Sequence, residues 1–259
     1  VNDLAMAGAR PRYLSSAVIM EEGLPTDELS RIVGSMAAAA EAAGVAVVTG
    51  DTKVVERGKA DGLYITTTGV GTVEEPLELS PKGIRPGDRV IVSGTIGDHG
   101  MAIMIARGEL ELEVELESDT AALGGLVEAL LASTDGVRCL RDPTRGGVAT
   151  VLNELAMASE VGILVNEGEV PIRPEVNGAC EILGIDPLYV ANEGKLVAVV
   201  APEATDAALA ALRSHPLGRE ASVIAEARAQ QPGMVVLETA FGGERIVDML
   251  AGDPLPRIC

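Results

Sequence analysis

Thr26-Asp27-Glu28-Leu29 opens an Ala-rich run that continues to Ala43, is closed by Gly44, and passes through Val45-Ala46-Val47-Val48 into Gly50-Asp51-Thr52-Lys53. Thr and Asp are residues that cap a helix start, and a glycine just past the end is the usual stop. The spacing predicts a helix over 28–43. Residues 45–48 then read as a short buried strand, with Gly50-Asp51-Thr52-Lys53 as the turn that follows it. Upstream, 12–20 has the character of a strand. Downstream, 63–73 is rich in Thr and Val, which favour pleated backbone. Strand, helix and strand in this order argue for an α/β or α+β fold.

Working outward, the chain starts at Val1-Asn2-Asp3 and enters a helical pattern at once, with Asn2 or Asp3 as the N-cap candidate. It begins without Met, so an upstream strand is expected to be missing. The first domain runs over 1–76. Residues 77–88, with Ser80-Pro81-Lys82-Gly83-Ile84-Arg85-Pro86-Gly87-Asp88, have the Pro and Gly density of a linker. A second domain follows over 89–250. It opens on a strand at 89–93, the Gly-rich turn 94–100 and a helix at 101–106. An acidic stretch at 109–117 reads as a solvated loop or edge strand. Helices are expected at 120–131, after Gly147 to about Ser159, at 173–183 and at 203–213, with strands at 162–165, 196–200 and 234–237. Residues 251–259 form an extended tail. Pro254 and Pro256 keep it from continuing a helix, and nine such residues reach ~30 Å at roughly 3.3 Å each. Its tip is the thiol of Cys259 beside the terminal carboxylate.

The composition narrows the function classes. A hydrophobic share of 47% with mean hydropathy +0.27 fits a folded chain of 259 residues. Aromatic residues are only 2%, with Phe241 the one Phe and no Trp, which weighs against base-stacking platforms. A formal charge of −19 repels nucleic-acid backbones and anionic membranes. Cys139, Cys180 and Cys259 form neither a CxxC pair nor a disulfide framework, and no signal peptide or long apolar run is visible. A cytoplasmic protein with no nucleic-acid or membrane partner is expected.

Four polar motifs fall at predicted element ends, where side chains face crevices. Asn2-Asp3 and Gly50-Asp51-Thr52-Lys53 bring two carboxylates and a lysine, the chemistry that Mg²⁺ and phosphate require. Asp3 as a plain cap and Asp51 as a turn residue remain equal alternatives. Arg141-Asp142-Pro143-Thr144-Arg145-Gly146-Gly147 leads into a helix whose free N–H groups suit an anion. Ala191-Asn192-Glu193-Gly194-Lys195 carries Glu193, a general base if low polarity raises its pKa, or else belongs to a simple turn. Cys139 and Cys180 read as small buried hydrophobes, and two histidines without cysteines at ligand spacing do not make a zinc site.

Taken together, these motifs, Gly97-Asp98-His99-Gly100 and the terminal Pro256-Arg257-Ile258-Cys259 resemble the hydrogenase expression/formation proteins HypE, a carbamoyl-dehydratase family in the aminoimidazole-ribonucleotide-synthetase-like superfamily. The resemblance spans the chain in the family's order. It implies two synthetase-like domains: an N-terminal α/β domain, ATP-binding, whose sheet pairs with a second copy into a dimeric barrel, and a C-terminal α+β domain. It implies that a carbamoyltransferase partner loads Cys259, and that ATP-dependent dehydration converts the group to a thiocyanate. A scaffold complex then accepts the cyanide for the iron of a [NiFe] hydrogenase. By motif, Asp3 and Asp51 would hold Mg²⁺. Lys53, Arg145, Gly146 and Gly147 would steady phosphate, with Asn2, Asp142, Thr144 and Asn192 completing the nucleotide site. Glu193 would take protons from the amide nitrogen. Family members carry a glycine-rich, acidic segment before Val1-Asn2-Asp3 that this sequence lacks. The alternatives are another ATP-using enzyme of the superfamily, such as a selenophosphate synthetase or thiamine-monophosphate kinase, or a non-catalytic carrier that presents the thiol to partners.

Overall fold

The computed structural model describes residues 1–74, 77–108, 115–250 and 252. The acidic stretch expected at 109–117 is therefore described only from Glu115, and the tail with Cys259 lies outside the described residues except for Gly252. The chain divides into two compact units, Val1–Pro76 and Leu77–Cys259.

The first unit is built on a three-stranded mixed sheet. Strand β1 (Arg10–Glu21) lies in the middle, with β2 (Ala46–Val55) parallel on one side and β3 (Leu63–Thr72) antiparallel on the other. A parallel pair needs a crossover, and α2 (Thr26–Ala42) supplies it. The short helix α1 (Asn2–Met6) buries Ala5 and Met6. Its Leu4 lies so close to β3 that a Cβ at Gly69 would come within 2.8 Å of it.

Two expectations fail here. Strand β2 is neither short nor buried: after a register shift between Leu14 and Ser15 it pairs with β1 through Glu21↔Val55, and nine of its ten residues are exposed. Gly50 and Asp51, ordinary turn residues, are carried inside it because the ladder to β1 outweighs their low strand propensity. Gly50 is required there, since a Cβ would sit 2.3 Å from the Ser16 carbonyl oxygen. Neither helix is capped as expected: Val1 and Pro25 occupy the N-cap positions, with no side-chain cap bond.

Cross-strand register then defines an open face of this sheet. Tyr13 pairs with Val70, Ala17 with Asp51 and Thr66, and Ile19 with Lys53 and Tyr64. Directly opposed residues share a face. Tyr13, Ile19, Tyr64 and Val70 are all large apolar side chains left exposed.

The second unit is α+β. Its seven strands run β10-β9-β6-β8-β4-β7-β5 across the sheet, where β4 is Arg89–Val92, β5 Val137–Arg141, β6 Gly162–Asn166, β7 Val197–Val200, β8 Ser222–Arg228, β9 Val235–Glu238 and β10 Glu244–Ile246. Only β6 and β9 are parallel. Central strands β4 and β7 are apolar on both faces. Val90, Val92, Val197 and Val199 join one core with helix α5 (Gly147–Ser159), while Ile91, Ala198 and Val200 are equally buried on the other side. Helices α3 (Asp98–Ala106) and α6 (Pro174–Leu183) share a smaller core of Met101, Met104, Val176 and Cys180. Helices α4 (Gly124–Ser133) and α7 (Thr205–Ser214) complete the unit. Residues 77–88 pack on it: Ser80 donates its N–H to the Arg138 carbonyl and Ile84 lies in the main core.

The strands β5, β8 and β10 escape the sequence reading. Val137–Arg141 carries Arg138 and Arg141 in a run of five, Ser222–Arg228 mixes Glu226 and Arg228 into its pattern, and Glu244–Ile246 is only three residues long.

Candidate functional site

In the first unit, Asp51 and Lys53 stand two residues apart on β2 and so point to the same side, the open face of the sheet. Both are exposed. The Asp51 carboxylate accepts the Thr52 N–H at 2.9 Å, which fixes one oxygen and leaves the other available. Asp3 is an exposed residue in the first turn of α1, and Asn2 precedes it. No group of three or more His, Cys, Asp or Glu gathers as a metal centre among the described residues. The available Asp51 oxygen suits Mg²⁺, which takes one or two carboxylates and completes its shell with phosphate oxygens and water, whereas α1, with Asp3, packs through Leu4 on the opposite sheet face at Leu14 and Gly69.

In the second unit, the loop 141–147 and the turn 191–195 are locked together, and Asn192 does the locking. Its side chain is fully buried. Its Oδ1 accepts the Gly97 N–H at 2.8 Å, and its Nδ2 donates to the Pro143 carbonyl at 2.9 Å and the Val190 carbonyl at 3.0 Å. Both amide hydrogens and a carbonyl lone pair are committed to backbone. The nearest role of Asn192 is therefore to join three segments.

The glycine pair has the same double character. Gly146 and Gly147 both have positive φ, at 69° and 60°. A Cβ on Gly147 would lie 2.4 Å from the Leu188 carbonyl oxygen and 2.6 Å from that of Val190. Close packing onto 188–190 demands glycine there before any ligand is considered. Of the two arginines in this loop, Arg141 is held by Glu154 at 2.5 Å, while Arg145 is exposed at the start of α5 beside the partly buried Asp142 and Thr144. Leu250 also packs at this turn: a Cβ on Gly146 would meet its side chain at 3.4 Å. Val247 and Asp248 are pinned just before it, their carbonyls accepting from Asn153 Nδ2 and the Tyr189 hydroxyl.

A cluster absent from the sequence reading lies beside Glu193. Asp119 accepts the Glu193 N–H through Oδ1 at 3.0 Å and pairs with Lys195 Nζ through Oδ2 at 3.2 Å. Asp98, only 1% exposed, accepts from the Thr95 hydroxyl and pairs with Arg173 at 3.3 Å. Burial pushes the Asp98 carboxyl above the usual range, against the opposing pull of Thr95, Arg173 and Lys195. These four charged residues wall a cleft of about 490 Å³ together with Gly194 and the 216–220 segment. The signal was available in part, in Gly97-Asp98-His99-Gly100. Asp119 closes an acidic run, and a charge run reads as solvated surface. Cys139 and Cys180 are buried, and burial pushes each thiol up to about 11, so neither offers a thiolate near neutral pH.

The two units, the first α/β and the second α+β, belong to the class of AIR synthase related proteins. Residues 1–73 match the AIR synthase related protein, N-terminal domain, and residues 85–238 match the corresponding C-terminal domain. Carbamoyl dehydratase HypE of Cupriavidus necator is 56% identical over 259 residues, which is 100% of this chain and 74% of the relative. A crystal structure of hydrogenase maturation protein HypE in complex with ATP is similar at TM-score 0.93 and 47% identity, covering 100% of this chain and 78% of that one. A HypE–HypF complex gives TM-score 0.92 and 48% identity over 95% of this chain and 80% of its counterpart. The chain belongs to the HypE family of carbamoyl dehydratases. Among the described residues, no helix is long and apolar enough to cross a membrane.

Proposed function

We propose that this chain is an ATP-dependent carbamoyl dehydratase of [NiFe] hydrogenase maturation, which converts an S-carbamoyl group on its own Cys259 into a thiocyanate. The observation that carries the reading is similarity to Carbamoyl dehydratase HypE along the whole chain, in a sequence that ends on Pro256-Arg257-Ile258-Cys259. The carbamoyl group becomes a nitrile by losing its oxygen and both nitrogen-bound protons. An amide oxygen leaves poorly, and its transfer to phosphorus makes it a good leaving group. Carbamoyl and ATP thus give thiocyanate, ADP, phosphate and one proton.

The residues take separate parts in this chemistry. In the first unit, Asp3 and Asp51 would hold Mg²⁺, which neutralises phosphate charge when bound. Lys53, on the same sheet face as Asp51, offers a point charge to phosphate. In the second unit, Arg145 and the start of α5 present a guanidinium and helix N–H groups to an anion. Asn192 holds that loop in shape through the Pro143 carbonyl, Asp142 and Thr144 in the loop face the nucleotide, and in the first unit Asn2 does so beside Asp3. Glu193 takes the amide protons. Leu250 packs at the Gly146 turn, and a substrate tethered to the same chain reacts at high effective concentration.

Partners follow from the substrate. A carbamoyltransferase must load Cys259, and HypF in complex with a HypE relative supports that assignment. A scaffold complex receives the cyanide, in the cytoplasm. The open sheet face of the first unit supports a homodimer in which two sheets close into a barrel.

Intact-mass spectrometry tests the reaction. Incubation with the carbamoylating partner should add ~43 Da, and Mg-ATP should then remove ~18 Da, both through capture by the tail thiolate. Cys259→Ala should abolish both changes while folding and ATP binding persist. Addition without loss would leave a carrier in place of an enzyme, and loss of folding in the variant would refute the arm.

A further inference from the structure

We infer that Asp119 is the positioning residue of the dehydration, the side chain that holds the Glu193 turn where it can take protons; the inference rests on the role proposed above for Glu193. Turn 192–195 has little of its own to fix it. It lies before β7 and contains a glycine, and its side chains at 193 and 195 are only partly buried. Asn192 is held by its amide from the 143 and 190 carbonyls and the Gly97 N–H. Those bonds fix the turn's first residue and leave the peptide of Glu193 to be held from elsewhere.

Asp119 holds it. Its side chain is 3% exposed and both oxygens face this one turn: Oδ1 accepts the Glu193 N–H at 3.0 Å, and Oδ2, which accepts no hydrogen bond, lies 3.2 Å from Lys195 Nζ as an ion pair. Between these contacts Gly194 lies flush on the Asp119 backbone: a Cβ there would sit 1.7 Å from the Asp119 carbonyl oxygen. Three consecutive residues of the turn are thus fixed by one aspartate. A charged acceptor makes the stronger kind of hydrogen bond, and burial of the carboxylate strengthens it further.

The aspartate is itself braced. Its neighbour Ser118 bonds through Oγ to His99 Nδ1 at 2.8 Å, and His99 is a buried residue in the first turn of α3. The N-cap of that helix is Gly97, whose N–H goes to Asn192. A closed circuit results, from Asn192 through Gly97, α3, His99 and Ser118 to Asp119, and back to Glu193. Proton transfer needs its base placed to within a fraction of an ångström, so a brace on the base's own peptide bears on rate more than on substrate binding.

Two variants separate positioning from plain stabilisation. Asp119→Asn keeps an oxygen for the Glu193 N–H and loses the ion pair with Lys195, whereas Asp119→Ala loses both. The single-turnover rate of ATP-dependent water loss from the carbamoylated protein should fall about 10- to 100-fold in Asp119→Ala, with ATP affinity unchanged, and recover to within a few fold of wild type in Asp119→Asn. Lys195→Met, which removes the ion pair alone, should match Asp119→Asn in rate. Equal loss in the Asn and Ala variants would overturn the inference, because the rate would then follow the ion pair; so would a wild-type rate in Asp119→Ala. Should Asp119→Ala fail to fold, the Asn and Met variants decide: near-normal rates with lowered thermal midpoints support positioning, and collapsed rates refute it. Glu193→Gln is run beside them. If it still loses water, the proposed base is wrong; if it does not, the Asp119 result stands by itself.

Discussion

Asn192 shows how a polar residue in a candidate site divides between fold and chemistry. Its amide joins Gly97, Pro143 and Val190, three segments distant in sequence, with every bond between 2.8 and 3.0 Å. Replacing it by Ala strands the buried Val190 carbonyl and the Gly97 N–H, while the Pro143 carbonyl keeps the backbone N–H of residue 192. Since each orphaned group costs a kilocalorie or more, the loss should total about 2 kcal/mol. That corresponds to roughly 4–8 °C in Tm for a unit of this size. A thermal scan of Asn192→Ala with and without ATP distinguishes the two parts Asn192 plays: a lowered Tm in both conditions marks a staple, whereas an unchanged Tm with lost nucleotide protection marks a ligand. The sequence can flag Asn192-Glu193-Gly194 as unusual, but two of the three partners lie 49 and 95 residues away, and no local pattern encodes them. Asp119 is hidden from the sequence for the converse reason. Its acidic surroundings read as solvent-facing, and only the packed turn shows that its carboxylate is enclosed.

At the scale of elements, legibility follows how local the deciding forces are. The helix α2, the strand β1 and the continuous apolar strands β4 and β7 are readable because the glycine stop, periodicity and apolar runs act within a few residues. Strand β2 ran on through Gly50 and Asp51 because its partner β1 is there to receive it, and that pairing is not written in β2 itself. The start of α5 sits between these cases. Gly146-Gly147 was legible as a site where the backbone must approach something closely. The structure identifies one such neighbour, the 188–190 backbone. Gly147→Ala combines a positive φ with a Cβ contact of 2.4 Å to a carbonyl oxygen. It should destabilise the unit by roughly 2–4 kcal/mol, through strain and overpacking together. Chemical denaturation measures this directly. A stability loss under 1 kcal/mol would mean that the turn can shift, and would leave ligand approach as the main reason for the glycine.

At the scale of the molecule, the two units differ in how well each closes its own core. The second unit buries apolar residues on both sides of its sheet. The first leaves Tyr13, Ile19, Tyr64 and Val70 exposed along one sheet face, at 54%, 42%, 52% and 62%, and Val47, Val54 and Ile65 exposed on the other. A sheet with open apolar surface is stable only when something covers it, and a second copy of the same face is the simplest cover that symmetry allows. Asp51 and Lys53 lie on that same face, so its closure bears on the proposed metal and phosphate contacts as well as on stability. The barrel dimer therefore predicts a solution mass of twice 26.6 kDa. Val70→Asp puts a charge on β3, an edge strand, where the single copy tolerates it because the side chain already faces solvent. In the dimer the same charge would be desolvated without a partner, at a cost of several kcal/mol. Light scattering on the purified chain should thus give a dimer for the wild type and a single copy for Val70→Asp, with the helix and strand signal in circular dichroism retained. A dimer that survives Val70→Asp would move the interface to another surface. A wild type that is monomeric at every concentration would mean that the open face is covered by something other than a second copy.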